Sequence, residues 1–143
     1  MAAKSTALCT SLLALLLNAT PIANVADNAG SGPLTNLYLA LHTASPGAGG
    51  TQATNEAAYT SYARVAIARN SGGFTVASGT ATLTAAVNFP TATGGAETET
   101  YFSLGEASSG AGEIFYFGPL SPTIAVSNGV TPQLTTGTTI TET

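Results

Sequence analysis

The side chains able to do chemistry in this 143-residue chain are few and widely spaced. His42 is the single histidine, so any nucleophile, base and acid arrangement must be built around it, and no nucleophile-elbow motif presents a serine beside it. Glu97 and Glu99 lie two apart, which puts both carboxyls on one face of a strand, the kind of pair that general acid and base work requires. Cys9 is the one cysteine; it excludes an internal disulfide and, with a single histidine, a structural zinc site. The glycine-rich stretches at 48–50 and 109–112 lack the Lys-Ser/Thr ending of a phosphate loop and read as turns. The expectation is therefore no catalytic residue, no metal and no cofactor. His42 then sits near a strand end, and Glu97 and Glu99 belong to a solvated sheet edge.

Charge narrows the partners further. Only 7% of the residues are charged, and Lys4, Arg64 and Arg69 face seven acids for a net −4. Three cations cannot neutralise a run of phosphates, so nucleic acid is excluded as a partner. Arg64 and Arg69 are expected to pair with glutamates, either within the chain or on a neighbouring copy, and both are candidate interface residues.

The elements that must position these groups fall into two kinds. Residues 5–17 predict a helix, ended by Asn18 and Pro21. Thr10 and Ser11 interrupt the apolar run, which argues against a secretory leader, and the run is shorter than the ~20 residues of a membrane span. Leu8, Leu12, Leu15 and Leu16 share one side, while Leu13 and Leu17 widen the stripe beyond what a monomer easily covers. Leu12, Leu13, Leu16 and Leu17 are accordingly candidate interface residues. From Thr20 to Pro33 the composition is that of an extended arm, so residues 1–33 form a helix and arm and residues 34–143 a body.

In the body the helical period gives way to short β-branched and aromatic runs between glycine-rich turns. Strands are expected around Leu37 to His42, Tyr62 to Arg69, Phe74 to Val76, Leu83 to Phe89, Thr100 to Leu104, Ile114 to Phe117, Ile124 to Val126, Val130 to Leu134 and Thr138 to Thr141. Ile114 to Phe117 is apolar on both faces, which suggests a central or an interface strand and makes Phe115 and Phe117 candidate contacts. The threonine-rich C-terminus has the character of an edge strand able to pair with another copy. The fold class is mainly β: an antiparallel β-sandwich or jelly-roll-like body with a short N-terminal helix and extended arm.

The ordered strings Leu37 to Gly47, Asn55 to Tyr59, Tyr62 to Val65, Asn88 to Gly95, Phe102 to Gly105, Ala107 to Gly110 and Gly118 to Leu134 resemble a family of small tailed-bacteriophage virion proteins, often labelled tail fibre proteins. The resemblance spans roughly Leu37 to Ile140. Ser45 stands where the family has an acid before Pro-Gly, and Phe74 where it often has tryptophan. The resemblance implies a virion part without enzymatic activity.

Physical reasoning then chooses a place on the particle. A fibre needs length from repeats or heptads, and neither period is present. A compact body with an apolar arm suits a capsid decoration or cement protein, burying interfaces of about 1,200 to 2,000 Å² on the major capsid protein, with avidity over a shell. The acidic surface fits the capsid exterior. A homo-oligomer is expected, a trimer at local threefold positions. The alternatives are a tail fibre or tail-tip protein engaged in host adsorption, a carbohydrate-binding module using Tyr38, Tyr59, Tyr62 and Tyr101, and a glycosidase built on Glu97 and Glu99.

Overall fold

A computed structural model describes residues 5–22 and 33–142. The chain is mainly β, with one N-terminal helix and several antiparallel sheets. The elements are α1 (Thr6–Asn18), β1 (Asn36–His42), β2 (Val65–Ala68), β3 (Phe74–Ala77), β4 (Thr80–Leu83), β5 (Val87–Asn88), β6 (Glu97–Gly105), β7 (Ile114–Val126), β8 (Gln133–Leu134) and β9 (Thr139–Thr141). Most of the arm expected over 20–33 lies outside the described residues. Among the described residues, no helix is long and apolar enough to cross a membrane.

The chain divides into two compact units. Of the described residues, the first gathers those up to Asn36 with 68–86 and 134–142. Ser5 caps α1 by accepting from the Leu8 amide at 3.2 Å. Ala19 closes it in the left-handed region at φ 53°, with the Thr20 amide returning to the Ala14 carbonyl. Cys9, Leu13 and Leu17 recur every four residues and are buried where α1 packs on β3 and β4. Phe74, Ala81 and Leu83 of those two strands are buried as well. The antiparallel order is β3-β4-β9, with Ala81 opposite Ile140. The C-terminal threonine run thus pairs with its own chain.

The second unit, 37–67 with 87–133, is built on the sheet β2-β1-β6-β7. Its central strand β1 buries Leu37, Leu39, Ala40, Leu41 and His42, closing both faces of a run that sequence alternation read as two-sided. β6 pairs antiparallel with β1, Leu41 opposite Phe102 and His42 opposite Tyr101. On its other side β6 pairs with β7, which occupies the sheet edge. Two short runs read from sequence are here one 13-residue strand, continuous through Pro119 and Pro122. Prolines lack the amide hydrogen, and an edge strand tolerates them because that side needs no ladder bond. The central placement considered for Ile114 to Phe117 is therefore replaced by an edge.

Candidate functional site

The polar groups with chemical potential converge in the second unit, and most of them are buried. His42 Nδ1 lies 2.9 Å from the Thr54 carbonyl and Nε2 lies 2.7 Å from Ser103 Oγ. A carbonyl only accepts, so Nδ1 carries the hydrogen and Nε2 accepts from the Ser103 hydroxyl. Burial lowers the His42 pKa, which favours this neutral form; the Thr54 carbonyl and Glu56 work in the opposite direction, and Arg64 adds to the lowering. The pair has the geometry of a nucleophile and its base, yet both residues are 0% exposed. No substrate atom reaches Ser103, and the dyad acts as a cross-link between β1, β6 and the loop that follows β1.

Arg64 is the second hub. Its guanidinium forks onto Glu56, Nε to Oε1 at 2.6 Å and Nη2 to Oε2 at 2.8 Å. It also donates to the carbonyls of Ala107 and Gly110 at 2.9 and 2.6 Å, and weakly to Gln52 Oε1. Gln52 is wholly buried: its amide donates to the Tyr38 carbonyl and its oxygen accepts from the Ala107 amide at 3.0 Å. Gly105 and Gly112 leave room for that side chain, since a Cβ at either position would collide with it. These bonds join the stretch 52–64 to the loop between β6 and β7.

Glu97 and Glu99 do share a face of β6. Glu97 Oε1 accepts from the amides of Ala58 and Tyr59 at 2.8 and 2.7 Å. Glu99 is 0% exposed and neither carboxyl oxygen has a hydrogen-bond donor. Burial, with Glu97 beside it, pushes its carboxyl up to about 8. The solvated edge expected for the pair is corrected at Glu99: it lies inside, where no sugar reaches it. Of the four candidate tyrosines, Tyr38 and Tyr101 are half-buried, while Tyr59 and Tyr62 are engaged inside the fold. Tyr59 is buried, edge-on to Tyr62 and bonded through its hydroxyl to the Pro90 carbonyl. Tyr62 stacks on Phe89 and accepts from the Leu41 amide. They brace the core and offer no stacking platform to a sugar ring.

The candidate interface residues separate into two groups. Leu13 and Leu17 are buried within their own unit, and Arg64 is tied to Glu56 of its own chain. Arg69 holds the C-terminal carbonyls of α1, Nε on Leu16 and Nη2 on Leu15 at 2.7 Å. Having no basic residue in its own last turn, the helix draws its cation from residue 69. Arg64 and Arg69 thus both find partners inside the chain, one of the two pairings considered for them. Leu12, Leu16 and Phe115 are half-buried, and Phe117 on the β7 edge is 38% exposed. Leu8 and Leu34 also stand exposed. Leu8 was legible as part of the helix stripe; Leu34 carried no sequence signal. Among the described residues no cluster of three metal-ligating side chains occurs.

The model of one protein family, Gp80, described as podophage GP4 fiber I protein gp80, matches residues 5–142. No curated protein matches the chain.

Proposed function

This chain belongs to that podophage fiber family and is a structural component of the bacteriophage virion; from that premise we propose that it is a non-enzymatic part of the tail fibre, working in host adsorption by contact with other proteins. The observation that carries the reading is the family match over nearly the whole described chain. The buried state of Ser103, His42 and Glu99 supports a role without catalysis, because the groups that could transform a substrate are spent inside the fold. The contact surface proposed is the β7 edge at Phe115 to Phe117, neutral and apolar, engaging a further copy of the chain or a neighbouring virion protein.

A second reading, capsid decoration on the major capsid protein, has one observation in its favour: the sequence carries no length-building repeat or heptad. Gold-labelled antibody on intact particles separates the two. Label at the tail, with adsorption to host cells lost in particles lacking the protein, supports the fibre reading. A uniform coat over the shell, with particles that break at lower temperature when the protein is removed, refutes it.

A further inference from the structure

We propose that Glu99 retains its proton in the folded chain and donates it to Glu97, so that the two carboxyls form a proton-dependent latch fastening the segment around Ala58 and Tyr59 to β6. The geometry leaves few other arrangements. Glu99 is wholly buried, and no N–H or O–H of a described residue points at either oxygen. A buried carboxylate without a donor or a cation is a costly species, whereas a protonated carboxyl needs only one acceptor. Glu97 is that acceptor: it stands two residues away on the same strand face, close enough to affect Glu99 by hydrogen bond and by charge.

The surroundings support the same assignment. Across the ladder, Glu99 faces Ile124 and Glu97 faces Val126, and the β7 stretch 124–126 has no ionisable side chain. From the loop, Tyr59 faces the pair; burial, then Glu99 and Glu97, push its hydroxyl up to about 12. On the neighbouring strand β1 the ionisable groups are Tyr38, which lies opposite Gly105 at the far end of β6, and His42, whose ring is committed to Thr54 and Ser103. The charge acting on Glu99 is that of Glu97, with no cation contributing. Glu97 Oε1 meanwhile receives the Ala58 and Tyr59 amides. Removing the proton would set two negative charges side by side and push Glu97 away from those amides.

The direction with pH follows from linkage. The unfolded chain releases this proton near pH 4.5, while the folded chain keeps it to about 8, so stability falls as pH rises between those values and levels off above. The test compares thermal unfolding of the full chain with that of Glu99→Gln from pH 4.5 to 9. Glutamine keeps the shape and donates to Glu97 without a titrating proton. The expected result is a pH-dependent gap between the two proteins that opens above pH 4.5 and reaches roughly a thousandfold in the unfolding constant by pH 8, in favour of the variant. Parallel curves overturn the proposal. So does a rise in the wild-type midpoint on adding calcium or magnesium that Glu99→Gln does not share, since a cation would then be neutralising the carboxylate. If the variant does not fold, infrared spectroscopy of the wild-type chain decides: a protonated-carboxyl carbonyl band at pH 6 that disappears towards pH 9 supports the latch, and its absence at pH 6 refutes it.

Discussion

Replacing Arg64 by methionine should be among the most damaging single changes in the second unit. The Arg64 side chain is 1% exposed and its partner Glu56 19%, so the fork between them is largely out of water. Methionine fills a similar volume but removes every donor. Glu56 is left as an uncompensated, mostly buried carboxylate, a situation that costs about 3 to 5 kcal/mol. The carbonyls of Ala107 and Gly110 also lose their partner, but Gly110 is exposed and can turn to water, so little is added for it. An unfolding entropy of about 2.1 cal/mol/K per residue over 143 residues corresponds to roughly 0.3 kcal/mol/K. The midpoint should therefore fall by roughly 10 to 17 °C. Calorimetry of the wild type, Arg64→Met, Glu56→Gln and the double variant provides the assay. Neutralising Glu56 in the Arg64→Met background should restore more than about 1 kcal/mol, because it removes the stranded charge. Arg64→Lys should recover only part of the loss, since an ammonium cannot fork onto a carboxylate. The reasoning is refuted if Arg64→Met stays within about 1 kcal/mol of wild type. It is also refuted if the loss scales with protein concentration, which would place the pair across an interface.

Other consequences can be checked in the same way. Arg69→Ala strips the cation from the C-terminal carbonyls of α1 and should cost about 1 to 2 kcal/mol, read as a midpoint drop together with lost helical circular dichroism; an unchanged spectrum and midpoint would contradict the capping role. The buried, neutral His42 should make the Glu99→Gln protein lose stability as pH falls below about 6.5, because the unfolded chain takes up a proton that the folded ring resists; a flat profile from pH 7 to 5 in that background would mean the ring is not held neutral. Phe117→Glu changes a 38% exposed residue and should alter monomer stability by no more than about 1 kcal/mol, while lowering self-association by sedimentation and incorporation into particles; undiminished incorporation would remove the β7 edge from the contact surface.

The features legible in the sequence were those encoded locally. The leucine spacing and the Asn18 to Pro21 stop located α1 to within a residue, because periodicity and helix stops act over one or two turns. Alternation located most strands, and the two-residue spacing put Glu97 and Glu99 on one face. Topology and burial were not legible. His42 meets Ser103 across 61 residues and Arg64 meets Gly110 across 46, and no local signal records such pairings. Gln52 carries no sequence signal, since a lone glutamine in a glycine- and threonine-rich loop has the character of a solvated residue; two glycines that make room for it become meaningful only after folding. A sequence shows the cations of Arg64 and Arg69 without showing the carboxylate or carbonyls that await them, so their partners inside the chain are not legible in it. The two prolines in β7 divided one strand into two expected runs, since the rule that excludes proline from strands is relaxed at an edge.

Those prolines also set how the sheet can be extended. A strand laid along the open side of β7 finds at most alternate amide hydrogens over 114–118, and no amide hydrogen at Pro119 or Pro122. Augmentation is thereby confined to a short stretch at one end and cannot propagate as a continuous cross-β ribbon. The break in the ladder limits a sticky, uncharged margin to one brief, terminating handshake and denies the template that runaway aggregation would need.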